Sequence, residues 1–420
     1  MTNDNQHIPS GYKPSPLGII PEDWEVKRLG EITTKIGSGI TPRGGQNVYV
    51  TKGHPFMRSQ NVGNGHLLLD DIVYIDASTH QKQISTEIAC HDVLLNITGA
   101  SIGRCAVAEK SIVGGNVNQH VCIIRLKNKD LSYYVCSFLL SYMGQKQVDS
   151  FQAGGNREGL NYDQISSFKI CIPPLNEINQ ISTILSLWDT AIAKQTALIE
   201  QLTLHKRGLM QQLLTGKKRL KGFEGEWNYH RIEEHFEQVI KRNDGKGHVP
   251  MTISARLGLV SQKDKFDRVV AGNSLDNYTL LEKGDFAYNK GNSNLYEMGC
   301  IYRLAEESAV VPFVYICFRV KDDTSCEFYQ HFFINHGLDK QLKQIITSGA
   351  RGDGLLNVSS ADFMSLKIPY PPIKEQQAIA VILNNADKEI EIQKQKLAAM
   401  QEQKKGLMQV LLTGKKRINE

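Results

Sequence analysis

The chain reads as an α+β protein: two globular domains joined by two long antiparallel coiled-coil helices, the whole built as an internal pseudo-twofold repeat. Three observations predict this. A thirteen-residue phrase occurs twice, GLMQQLLTGKKRL at 208–220 and GLMQVLLTGKKRI at 406–418. Each copy ends a Pro-Pro-led helical pattern of about forty residues with an apolar heptad seam. The stretches outside these patterns are unlike each other in sequence yet follow one outline, and 420 residues leave room for two cores.

Carried back from Gly208 and Gly406, the match runs without a gap to FKICIPPLNEINQISTIL (168–185) and LKIPYPPIKEQQAIAVIL (366–383). Each copy predicts a strand, a Pro-Pro breaker (Pro173-Pro174, Pro371-Pro372) and a helix lasting to Gly216 or Gly414. The first seam is Ile181, Leu185, Trp188, Ile192, Gln195, Ile199, Leu202, Lys206, Leu209 and Leu213. The second is Ile379, Leu383, Ala386, Ile390, Gln393, Leu397, Met400, Lys404, Leu407 and Leu411, with Gln and Lys at equivalent places. Forty helical residues span about 60 Å, more than a globular domain needs. Antiparallel pairing hides both seams and sets Gln195 opposite Lys404 and Lys206 opposite Gln393. The predicted parts are 1–175 and 217–372, globular, and 176–216 and 373–420, helical arms.

Both globular parts open on Trp and a charged stretch, DWEVKRLGEI (23–32) and EWNYHRIEEHF (226–236). Each then has an acid-led strand ending in Asn, HDVLLNITG (91–99) and GDFAYNKGN (284–292), and an apolar strand closing on Arg125 or Arg319. A glycine-rich loop precedes each arm. Alternating β-branched runs predict curved or barrel-like sheet.

Composition excludes several classes. The longest apolar run, AVVPFVYICF (309–318), is about half a bilayer crossing, and the polar start lacks a signal pattern, so no membrane partner and a cytoplasmic location are expected. Eight cysteines form no Cys-x-x-Cys pair and lie mostly in apolar runs, as small core residues do. His230 with His235, and His331 with His336, are spaced off one helical face, so no metal site is expected. The net charge of +5 favours an anionic partner, and cations cluster without acids at 206–221.

The loops hold residue types suited to phosphates and base edges. In the first part these are Lys35, Ser38, Thr41, Arg43, Arg58, Gln60, Asn61, Thr98, Ser101, Arg104, Asn156 and Arg157. In the second they are Lys241, Arg242, Arg256, Asn289, Lys290, Asn292, Asn294 and Arg351. Catalytic patterns are missing. CIPPL and YPPI lack the polar residue before and aromatic after Pro-Pro that amino-methyl transfer needs, TGKKR lacks the earlier glycine and the Ser or Thr of a phosphate loop, and KIGSGI lacks the third glycine of a dinucleotide fingerprint. No Gly-x-Ser-x-Gly elbow or zinc motif occurs. The chain is expected to bind rather than react.

LLTGKKRLKGFEGEW (213–227), with CIPPLNEINQI before it and the second copy at 406–418, resembles the specificity subunit of type I restriction-modification systems. The opening GYKPSPLGIIPEDWEVKRLGEI and PPIKEQQAIA fit as well, so the resemblance covers nearly the whole chain. One departure is LNEINQI, where the family's Glu-Gln is kept only in the second copy, as Glu375-Gln376. The resemblance implies two target-recognition domains, each reading one half of a bipartite, asymmetric double-stranded DNA site, with the arms setting the spacer. It implies docking of two modification subunits on the repeated phrase through Leu209, Leu213, Leu214, Lys217, Lys218, Leu407, Leu411, Leu412, Lys415 and Lys416. It places S-adenosylmethionine, ATP and magnesium in the modification and two restriction subunits, with no cofactor or catalysis in this chain. The competing expectation is a coiled-coil scaffold that does not bind DNA.

Overall fold

In the computed structural model, which describes residues 8–152, 159–266, 272–291, 296–346 and 356–418, one sheet is built twice. The chain divides into a first unit, Met1–Thr196 with Gln395–Glu420, and a second, Ala197–Lys394. The first contains β1 (Glu25–Arg28), β2 (Thr33–Ser38), β3 (Val93–Asn96), β4 (Cys105–Val107), β5 (Val121–Leu126) and β6 (Lys169–Ile172). The second contains β7 (Asn228–Arg231), β8 (Phe236–Gln238), β9 (Phe286–Asn289), β10 (Cys300–Arg303), β11 (Ile316–Val320) and β12 (Lys367–Tyr370). The sheets are ordered β2-β5-β3-β4 and β8-β11-β9-β10, antiparallel throughout. They are open four-stranded sheets and not barrels: helices pack on one face of each, and short strands with their loops pack on the other.

The central strands show why their sequences are continuously apolar. Cys122 and Ile124 of β5 enter a core with Trp24 and Leu185, while Val121 and Ile123 enter a second with Met57 and Val62. In β11, Ile316 and Phe318 face Met210 and Leu383, and Cys317 faces Met251 and Ile253. A strand buried on both faces has no polar alternation to display. The acid-led strands and the closing arginines find each other across these sheets. Arg125 Nε and Nη2 donate to the Asp92 carboxylate at 2.8 Å each, and Arg319 Nη2 donates to Asp285 at 2.7 Å. The cysteine expectation needs correction at Cys90, which is exposed, and at Cys326, which is half-buried.

Two long helices, α1 (Leu175–Leu213) and α2 (Ile373–Leu411), have 39 residues each. Every residue of the two predicted seams is buried or half-buried. In the first unit Ile181 and Leu185 share a core with Met408, Leu411 and Leu412, and in the second Ile379 and Leu383 share one with Met210, Leu213 and Leu214. The helices therefore run antiparallel within each unit. Gly216 and Gly414 terminate them with φ of +70° and +69°, a conformation that glycine adopts without strain. The predicted Gln–Lys register needs revision. Lys206 pairs with Asp387 at 2.5 Å and Lys404 with Asp189, in each case six residues before the expected glutamine. A half-buried ammonium is better satisfied by a carboxylate than by an amide.

β1 pairs with β6 and β7 with β12, so each leading tryptophan lies beside the start of a long helix. There Trp24 Nε1 donates to Glu177 at 3.0 Å, and Arg417 Nε and Nη2 reach the same carboxylate at 2.8 and 2.9 Å. Arg417 also holds Asp23 through both terminal nitrogens, at 2.9 and 2.8 Å. In the second unit Trp227 Nε1 donates to Glu375 at 3.0 Å and Arg219 Nε and Nη2 do so at 2.8 and 2.7 Å. Arg219 also lies over the Trp227 ring at 5.7 Å. Glu177 and Glu375 are buried, and in both units the arginine raises its already high pKa by bonding the glutamate. Gln376 is fully buried, taking the Ser325 amide at 3.0 Å and donating to the Pro371 carbonyl at 2.9 Å, while its counterpart Ile178 simply packs in the core.

Removing one partner of a buried ion pair strands the other charge. Arg219→Met should lower the stability of the second unit by roughly 3–5 kcal/mol, read as a reduced urea midpoint, and an unchanged midpoint would exclude this role. His331, in the helix Cys326–Ile334, bonds Asn384 of α2 at 2.8 Å, and burial pushes its pKa below the usual value. The unfolded chain therefore binds the proton more readily, and stability falls as pH drops through the ordinary histidine value of about 6.5. His331→Gln should flatten that part of the pH dependence in melts between acid and neutral pH.

Candidate nucleic-acid interface

At one end of the first sheet, three loops converge. The loop after residue 57, the loop 98–104 and the turn before β5 surround a cleft of about 430 Å³ that includes Gln60, Thr98, Ser101, Arg104 and His120. Asn96, the terminal residue of β3, ties two of these loops by donating to the Ser59 carbonyl at 2.8 Å and to Ser101 Oγ at 3.1 Å. Four sequence-predicted residues meet there, and Arg104 is exposed. The cleft presents a cation and hydroxyl groups, an arrangement that suits an oxyanion or an acceptor-rich base edge.

The other candidates of the first unit are more dispersed: Ser38 and Thr41 lie toward this end, whereas Lys35 lies beside Arg125 at the opposite end of β5. Thr41 bonds Gln119, Ser38 bonds the Tyr162 hydroxyl through both its amide (3.0 Å) and its Oγ (2.5 Å), and Arg43 is exposed. Lys35 pairs across the ladder with Arg125 and bonds the Ser85 carbonyl; burial, then Arg125, pushes its pKa below the usual lysine range. Arg58 and Gln60 both donate to Asp71, and Arg58 lies 5.9 Å from the Tyr49 ring centre. Asn61 must be removed from the candidates. It is fully buried, its amide donates to the Leu68 carbonyl (2.9 Å) and Asp71 (2.7 Å), and its oxygen accepts from the Arg58 amide, so it organises the loop. Asn156 and Arg157 lie outside the described residues.

In the second unit, Lys241 reaches Glu282 at 3.5 Å and Arg242 bridges to Thr279, both along the strand Thr279–Glu282. Arg256 is exposed at the turn after Met251–Ser254. Asn289 ends β9 with its oxygen on the Gly291 amide at 2.9 Å, and Lys290 is half-buried with Nζ 3.4 Å from the Val358 carbonyl. Asn292, Asn294 and Arg351 lie outside the described residues. Of the repeated phrase, Lys217, Lys218, Lys415 and Lys416 are exposed, and Leu209 and Leu407 are half-buried. Leu213, Leu214, Leu411 and Leu412 are no more than 4% exposed and belong to the cores of their own units. They hold the arms together and offer no docking surface.

A family model, the type I restriction modification DNA specificity domain, matches residues 21–204 and 262–402. The chain belongs to that family. A Methanocaldococcus jannaschii protein with the provisional name MjaX, a type I restriction enzyme specificity subunit, is 25% identical over 97% of both chains. The EcoKI specificity subunit of Escherichia coli K12 is 24% identical over 86% of this chain and 82% of its own. Two solved structures share the fold. A chain from a type I R-M system, solved to explain its assembly and conformational transition, has a TM-score of 0.58 at 15% identity, covering 94% of this chain and 99% of its own. The M. genitalium S subunit has a TM-score of 0.55 at 13% identity, covering 93% and 96%.

Two features of this specificity subunit escaped the sequence. His120 and Gln119, in NVNQH before β5, line or flank the cleft, and their only signal is a polar run entering a buried strand. His230 and His235 meet at 2.7 Å, with His235 also 2.6 Å from Asp322 and both rings stacked on Tyr370. The helical spacing argument fails because one residue lies in β7 and the other ends the short helix Ile232–His235. No cluster of three or more His, Cys, Asp or Glu that could hold a metal occurs among the described residues, and no helix among them is long and apolar enough to cross a membrane.

Proposed function

We propose that this specificity subunit binds double-stranded DNA, the globular part within 1–175 reading one half of a split, asymmetric target and that within 217–372 reading the other. The observation that carries this reading is one framework bearing unlike loops: the same four-strand order and the same Asp–Arg pair occur twice, while the residues at the sheet ends differ. A chain recognising one symmetric sequence would have no use for dissimilar loops on a repeated frame. Arg104 and the Thr98 and Ser101 hydroxyls supply phosphate and base contacts on the first unit.

The long helices act as the spacer between half-sites, which lie about one helical turn, roughly 34 Å, apart on one face of the duplex. The exposed lysine pairs at 217–218 and 415–416 engage two modification subunits. In support, Lys415 borders an apolar cleft of about 870 Å³ in the first unit, lined by Tyr12, Leu17, Met143 and Met408. Two restriction subunits complete the assembly. The methyl donor S-adenosylmethionine, ATP and magnesium belong to those partners, and this chain directs their chemistry to adenine without reacting itself.

Replacing residues 217–372 with the same region of another specificity subunit should change one half of the methylated motif and leave the other; a change in both halves would contradict the modular reading. Removing one heptad from each long helix should alter the gap alone. DNA affinity should drop steeply between low and physiological salt, as expected when several phosphates are neutralised, and Arg104→Glu should weaken it further. A scaffold that does not bind DNA would show neither effect.

A further inference from the structure

The repeated framework makes one position of each unit directly comparable. Asp92 and Arg125 in the first sheet correspond to Asp285 and Arg319 in the second, and the pairing of Cys122 with Leu95 corresponds to that of Ile316 with Tyr288. Six residues before each arginine, in the turn leading to the central strand, stand Gln119 and Phe313. Gln119 is exposed, and Phe313 is 63% exposed, a large phenyl left in solvent at the end of a buried sheet. Position for position, one unit offers an amide and the other an aromatic ring.

The amide is held in a defined orientation. Thr41 donates to Gln119 Oε1, and Gln119 Nε2 lies 2.9 Å from His120 Nε2. An amide nitrogen can only donate, so His120 Nε2 accepts and its proton sits on Nδ1, which donates to Thr98 Oγ1 at 2.6 Å. The His120 amide is itself fixed by Asn118 Oδ1 at 3.1 Å. Thr41, Gln119, His120 and Thr98 thus form a relay with one direction. Among the described residues, this leaves Gln119 one further N–H and one further lone pair on its oxygen, and leaves the Thr98 hydroxyl hydrogen without an acceptor. An adjacent donor and acceptor complement N7 and N6 of adenine in the major groove, whereas an exposed phenyl complements the methyl group of thymine.

We propose that positions 119 and 313 are specificity-determining residues, Gln119 reading an adenine edge in one half-site and Phe313 packing on a thymine methyl in the other. This rests on the DNA-binding reading above. His120 acts through Gln119 as a positioning residue.

The test is methylome sequencing of cells carrying the full chain with its modification partner. Gln119→Ala should relax one base pair of one half-site, with discrimination there falling about tenfold or more, while the other half and the gap stay as they were. Phe313→Ala should relax the opposite half. Both side chains are exposed, so melting should be unaffected. An unchanged motif in both variants, relaxation of both halves by either one, or weaker methylation of the parent motif with no new sites would overturn the proposal. Arg104→Glu separates the levels. If it weakens DNA binding while the motif survives Gln119→Ala, the base-reading assignment fails alone; if it too leaves binding intact, the interface reading fails with it.

Discussion

A buried carboxylate at the start of each long helix constrains everything else. Glu177 and Glu375 are buried, and a tryptophan N–H and a guanidinium take the place of the water that a carboxylate otherwise binds. The guanidinium comes from beyond the far end of the facing helix, Arg417 for Glu177 and Arg219 for Glu375. Within each unit the two helix segments therefore run in opposite directions, and each helix has 39 residues. The thirteen-residue phrase occurs twice because the same lock is made twice. Its leucines close the cores, its glycine turns the chain back, and its arginine reaches the carboxylate.

On this frame, conserved architecture and variable surface are physically separated. The sheets are buried on both faces and latched by Asp92–Arg125 and Asp285–Arg319, so their stability depends little on what the end loops carry. The first unit fills its principal core with aliphatic residues, Tyr134, Phe138 and Phe168, whereas the second stacks Phe286 on Phe318 and sets Phe236 and Phe333 edge-on against them. Different packing solutions sustain one topology, and the loops at the sheet ends are free to differ more still.

Much of this was legible in the sequence. Heptad spacing exposed the seams, Pro-Pro and Gly marked the helix limits, and the acid-led strands with their closing arginines marked the two sheets, because each of these signals is local or periodic. What stayed hidden depends on partners distant in sequence. Asn61 looked like a base-contacting residue until Asp71 and the Leu68 carbonyl claimed it. Leucines at a helix end read alike whether they face a partner protein or their own core, and here Leu213 and Leu411 face the core. The lysines of the seam chose aspartates over glutamines because charge outweighs a symmetric polar match. The Thr41–Gln119–His120–Thr98 relay joins residues as far apart as 78 positions, a relation no spacing rule can reveal.

The interlocking of the arms also sets an order of events on the ribosome. The second unit is one continuous stretch, Ala197–Lys394, and its arginine precedes its glutamate by 156 residues, so its lock can close as soon as that stretch has emerged. The first unit waits: Arg417 is made 240 residues after Glu177. Domains generally fold in the order of their translation, but here the half begun first is completed last, and until then its carboxylate lacks the guanidinium and its helix face lacks Met408, Leu411 and Leu412.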